Sequence, residues 1–304
     1  MLSWFKKSKP APAPAPPEPT PPPAAPPAIS NNGSALVARW DALIAENRAR
    51  LQLVLDEAVA ASEPLFAAIR SDLTPLVLPW NTITPRVHAL REELSTGWNT
   101  ISDEMSASGA FTHEALYAEG CKRDLAGCEL ELLHEGALGS VMARAADRML
   151  AAALGADAAV HACNHCGAAL DRVTVVSRSL NVACAYCTAL NTVHPGDAMR
   201  MFAASGAIHL AADEARASGD TMRRLETRLR QYRDKATVPL ALLIELQATT
   251  YQYWSTRLEV EARYNPDDAP YVPAKLERHL KDVQRTLRQY WQWRDHEAAG
   301  QPYK

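Results

Sequence analysis

The chain has 304 residues, 47% hydrophobic and 22% charged, which is enough apolar material for a sizeable buried core and excludes disorder throughout. A formal net charge of -3 with a pI near 6.3 excludes a surface built wholly for nucleic acid. No run of about 18 apolar residues occurs, so neither a transmembrane span nor a secretory signal is expected. Six cysteines, four of them in two C-x-x-C pairs, fit a reducing, cytoplasmic setting and a metal site better than a disulfide framework.

Residues 1–9 combine Leu2, Trp4 and Phe5 with Lys6, Lys7 and Lys9. Trp4, Phe5, Lys6 and Lys7 read as a displayed aromatic-basic docking peptide, for a protein groove in preference to an anionic membrane surface. Residues 10–30 form a disordered Pro/Ala-rich linker: Pro10 to Pro27 hold 11 of the 21 prolines. Proline fixes φ and removes donors, so the tract favours extended conformers and can hold the peptide roughly 50 Å from the body. Such Ala/Pro-rich usage suggests a high-GC bacterial genome.

Residues 31–157 read as a first helical segment. Ser34 is an N-cap candidate, and Leu36, Leu43, Ala49, Leu51, Leu55 and Val59 keep helical spacing through to Ala61. Pro64 kinks or restarts the helix. Thr74 to Trp80 carries too many prolines for a helix and reads as an extended apolar connection. Pro85 opens a further helix to about Ser106. A third stretch, Thr112 to Leu154, is open to a break near Gly136 or Gly139, where glycine costs ~1 kcal/mol against alanine.

Residues 158–195 carry the strong motif. Cys163-Asn164-His165-Cys166 is followed, after seventeen intervening residues, by Cys184-Ala185-Tyr186-Cys187. Two thiolates separated by two residues can point at one ion from a tight knuckle, and two knuckles complete a tetrahedral four-thiolate site. Arg172 to Val176 and Leu180 to Val182, flanking Ser177-Arg178-Ser179, read as β-branched strand segments. The stretch 160–194 resembles a four-cysteine zinc ribbon. The resemblance implies one structural Zn2+ held by Cys163, Cys166, Cys184 and Cys187, with no open coordination position, and a module folded by its metal. Gly167 follows the first knuckle, where a residue at ease with positive φ is wanted, but Thr188 follows the second. Ala185 stands where such knuckles commonly carry proline. These departures weaken a likeness to rubredoxins, which hold redox iron on similar knuckles. With four cysteines in place, His161, His165 and His194 are not needed as ligands.

Residues 196–299 return to helix: Pro195 to Ser218, Asp220 to Tyr264 with a break at Pro239, and Pro273 to Ala299. Leu276, Leu280, Val283, Leu287 and Trp291 form a coiled-coil-like seam on the last. Residues 31–159 hold 10 basic and 18 acidic side chains, and residues 196–304 hold 17 and 15. That complementarity favours the two segments packing as one bundle with the ribbon at its tip, two separate bundles being the alternative.

Weaker constellations remain. Glu131-Leu132-Leu133-His134 is a single E-x-x-H, and a helical bundle joined to a four-cysteine module is similar to rubrerythrin-like di-iron proteins, which need the motif on a second helix that this chain lacks. His88/Glu92 and His209/Asp213 sit at i,i+4, a pairing common on solvated faces. Arg223, Arg224, Arg228, Arg230, Arg233 and Lys235 crowd one stretch, and Arg278, Lys281, Arg285 and Arg288 stripe another beside Tyr290, Trp291 and Trp293. They could contact phosphates and bases, form the i,i+4 pairs Glu226/Arg230 and Glu277/Lys281, or face the acidic first segment. Cys121 and Cys128, a heptad apart, read as small buried hydrophobes. The common nucleotide, protease and hydrolase signatures do not occur, which lowers the odds of an enzyme.

The fold expected is therefore mainly α: a bundle of long helices with a small inserted β zinc ribbon behind a disordered tail. The function expected is a non-enzymatic scaffold or adaptor binding protein partners through the N-terminal peptide, the ribbon and helix faces. Nucleic-acid binding through the ribbon and basic C-terminal helices is one alternative, and a rubrerythrin-like iron redox protein is the other.

Overall fold

A computed structural model describes residues 31–68, 73–156, 161–170, 179–232 and 237–298. The docking peptide, the linker, and the segment Arg172 to Val176 lie outside those residues.

Helix α1 (Asn31–Ser62) begins three residues before the expected Ser34 cap and ends at a 3-10 turn, Pro64–Ala68. Thr74–Trp80 is helix α2, not an extended connection. Pro75 lies in its first turn, where backbone N–H groups have no intrahelical partner, and Pro79 forfeits only one bond in so short a helix. Burial of Leu76 and Trp80 on one face outweighs that loss, and the Trp80 indole N–H donates to Ser62 Oγ at 3.3 Å. Helix α3 (Thr84–Ala107) opens on Pro85 as expected.

Helix α4 (His113–Ala156) runs 44 residues without a break at Gly136 or Gly139. The bare backbone there is used. The Arg216 guanidinium donates to the Gly136 carbonyl at 2.9 Å and to Ser140 Oγ at 2.6 Å, passing 3.5 Å from where a Cβ on Gly139 would stand.

Strands β1 (Leu180–Ala183) and β2 (Leu190–Val193) pair antiparallel with Leu180 opposite Val193. Leu180 to Val182 is thus a strand as read, but it pairs across the second cysteine knuckle. The chain continues through α5 (Asp197–Met201), a π turn (Phe202–Gly206) and α6 (Ala207–Glu214). The next boundary falls at Ala215, ahead of the expected Ser218–Asp220 junction, and α7 (Arg216–Gln231) starts there. Pro239 caps α8 (Leu240–Tyr264), and after a 3-10 turn α9 (Val272–Ala298) closes the described chain.

Helix α4 packs against α1 and α3 on one side and α5, α6 and α7 on another, while α8 lies against α6, α7 and α9. One core gathers Trp40, Leu51, Leu76, Trp80, Leu94, Leu130, Met199 and Phe202; a second joins Leu225, Leu229, Leu243, Leu246, Leu287 and Tyr290 from α7, α8 and α9. Where α7 meets α4, Arg223 pairs with Glu135 and Arg224 with Glu129, so basic residues of the second segment neutralise acidic ones of the first. Arg230 donates to Thr227 Oγ1 at 3.0 Å instead of pairing with Glu226. Among the described residues no helix is long and apolar enough to cross a membrane.

Candidate metal centre

The cysteines lie on two turns built alike. In the first, Cys163 N–H donates to the Ala168 carbonyl at 2.8 Å and Gly167 N–H to the Cys163 carbonyl at 2.9 Å. In the second, Cys184 N–H donates to Ala189 at 2.9 Å and Thr188 N–H to Cys184 at 2.9 Å. Each turn is flanked by a β pairing at the same offsets, Ala162 with Ala169 and Ala183 with Leu190. Each also has a left-handed residue after its second cysteine: Gly167 at φ 73° and Thr188 at φ 59°. Glycine meets that demand without a Cβ clash. Threonine meets it under strain, with its hydroxyl donating to the Cys187 carbonyl at 2.7 Å.

These turns bring all four sulfurs within 4.8 Å of one another. Cys163 Sγ lies 3.6 Å from Cys187 Sγ, and Cys166 Sγ 3.7 Å from Cys184 Sγ. A tetrahedron with metal–sulfur bonds of about 2.3 Å has edges of about 3.8 Å, so the donor set fits a four-coordinate ion. The four residues can hold one metal ion and leave it no open position.

The electrostatics fit thiolate ligation. The backbone N–H groups of Cys166 and His165 face Cys163 Sγ and draw its thiol down to about 6. Those of Cys187 and Tyr186 lower Cys184 in the same way. At Cys187 the N–H of Ala189 favours the thiolate, but desolvation and the three neighbouring thiols push it up to about 12. Four thiols this close cannot all ionise without a cation between them.

Asn191 is a participant that the spacing of cysteines did not reveal. It is 3% exposed, its Oδ1 accepts from Asn164 N–H at 2.9 Å, and its Nδ2 faces the Ala189 carbonyl at 2.9 Å and Cys163 Sγ at 3.5 Å. One side chain thereby ties the two turns together. Its signal in the sequence was an asparagine inside the strand-forming run Leu190 to Val193, where that residue is disfavoured without a partner. Beneath the sulfurs, Leu170 and Val193 are the buried apolar side chains of a small third core, with Ala168, Val182 and Ala189 against them. So little apolar surface does not fold a module alone, and a bound ion would supply the difference.

The other candidates are not assembled into sites. Glu131 pairs with Arg91. His134 is half-buried, with its ring 6.1 Å from that of Trp80, and burial lowers its pKa. Among the described residues the four cysteines are the only group of three or more potential ligands within reach of one ion. His88 is exposed, and Asp213 pairs with Arg216. Cys128 is buried as expected, whereas Cys121 lines an open cleft of about 610 Å³ with Tyr117, Leu125, Arg228 and Leu242. Burial raises the Cys121 pKa, the reverse of what an activated nucleophile needs.

Comparison of the chain with protein-family models, curated proteins and solved structures finds no match.

Proposed function

We propose that Cys163, Cys166, Cys184 and Cys187 hold one structural zinc ion and that the protein is a non-enzymatic, cytoplasmic adaptor presenting surfaces to protein partners. The observation that carries this reading is the closure of the donor set: four sulfurs from two matched turns fill a tetrahedral shell, so the ion has no position for substrate or water. A rubrerythrin-like di-iron reading is disfavoured because Glu131 is engaged by Arg91 and no carboxylate cluster accompanies it among the described residues. Function then falls to the surfaces. Tyr186 is 83% exposed at the tip of the second turn and Leu190 is 70% exposed at the start of β2, two large apolar side chains on a module of few residues. The peptide around Trp4, Phe5, Lys6 and Lys7 is proposed as a second docking element on its Pro/Ala tether.

The test is affinity capture from the host with the full chain, a Tyr186→Ser/Leu190→Ser variant, and a chain lacking residues 1–30. The adaptor reading expects specific protein partners to be lost from one or both variants. Recovery of the same interactions from all three would overturn it.

A further inference from the structure

The basic residues of the C-terminal segment differ in what surrounds them. On α7, Arg223 and Arg224 are taken up by Glu135 and Glu129 of α4, whereas Arg228 and Arg230 are exposed. Elsewhere, Arg200, Arg216, Arg257 and Arg263 each pair with an acidic side chain. On α9, Arg278, Lys281, Arg285 and Arg288 are all exposed; Arg285 is engaged by a neighbouring group, and neither Arg278 nor Arg288 has an ion-pair partner among the described residues. Lys281 lies 3.5 Å from Glu277, both about two-thirds exposed, and such a contact is worth little in water.

Spacings of three, four and three place the four cations in one row on the outward face of α9, about 15 Å long at 1.5 Å per residue. Trp291, 43% exposed, follows Leu287 by four residues and so stands at the edge between the buried seam and the end of that row, with Gln284 and Gln292 exposed beside it. The opposite face is committed to the protein: Leu287 and Tyr290 are buried, and Val283 packs on the same core. His279 stacks on Trp254 with ring centroids 3.5 Å apart.

We propose that this outward face binds single-stranded nucleic acid, the cations meeting backbone phosphates and Trp291 stacking on an unpaired base. Three of the four cations are arginines, whose planar forks match phosphate oxygens in pairs. A row of cations with a partly exposed indole beside its end can track a backbone and offer a platform for a base. A membrane surface fits less well, because an interfacial helix must insert its apolar face, and that of α9 is already buried against α7 and α8. The proposal does not depend on the metal.

Fluorescence anisotropy of a labelled 20-nucleotide single strand, titrated with the full chain between 50 and 200 mM salt, tests it. Four phosphate contacts predict a log–log salt slope of about -2.8, or about a 50-fold loss across that range. Joint replacement of Arg278, Lys281, Arg285 and Arg288 by Gln should remove binding at 50 mM salt, and Trp291→Ala should weaken it about 5- to 150-fold with the slope unchanged. Far-UV circular dichroism checks that both variants fold. Absence of binding at 50 mM salt, binding that survives the fourfold replacement, or equal binding of anionic vesicles or polyglutamate would overturn the proposal. Equal affinity for a duplex with no effect of Trp291→Ala would overturn its single-strand part.

Discussion

Asn191 makes three polar contacts from a position that is 3% exposed, and two of them join the first cysteine turn to the second. Asn191→Leu keeps the volume and removes every contact. The expected result is a 10- to 100-fold loss of metal affinity, the range typical for groups that orient ligands, read by competition with a chromophoric chelator. Thr188 acts in the opposite sense. A β-branched residue at φ 59° is held there by the turn, so Thr188→Gly relieves strain of about 1 kcal/mol and should tighten metal binding about fivefold in the same assay. An unchanged or weaker affinity would show that the hydroxyl bond to Cys187 matters more than the backbone. The cysteine spacing made the four clustered thiols legible in the sequence, and Gly167 against Thr188 marked where the two turns differ. Asn191 was hidden because its role depends on which strand lies beside which turn.

Secondary-structure boundaries followed local chemistry where local chemistry decides. Pro85 opens α3 and Pro239 precedes α8, both at positions where proline is tolerated. Tertiary burial decided the exceptions. Thr74–Trp80 is helical because Leu76 and Trp80 gain more from one buried face than Pro79 loses, and α4 passes through Gly136 and Gly139 because Arg216 lies across that stretch of backbone. The π turn is a packing feature of the same kind. A Cβ on Gly206 would stand 2.6 Å from the fully buried Phe202 ring, which rests edge-on against Tyr264 at 5.1 Å. Two substitutions of the same type should therefore differ in sign. Gly136→Ala meets open space on a helix and should stabilise by up to ~1 kcal/mol, whereas Gly206→Ala should destabilise by about 1–3 kcal/mol through overpacking. Urea unfolding of the two variants measures both, and equal effects would contradict the packing argument.

Across the molecule, the three cores share no residue: one lies around α4 with α1, α2 and α3, one joins α7 to α9, and one sits under the cysteines. Stripping the metal with excess chelator should then unfold the ribbon while the helical far-UV signal and its main melting transition persist. Cooperative loss of helix on chelation would show instead that the ribbon holds the body together. The helical class and the charge complementarity were legible as broad patterns. Which cations pair with the first segment was not, because Arg223 and Arg224 look like their basic neighbours until α4 is seen against α7.

The most direct test of the account is the metal content and visible spectrum of untagged protein purified from its own host, beside its Cys184→Ser variant. The account predicts one zinc per chain, no colour, and loss of the zinc in the variant. Stoichiometric iron with thiolate-to-metal absorption, or four cysteines carrying no metal at all, would contradict it.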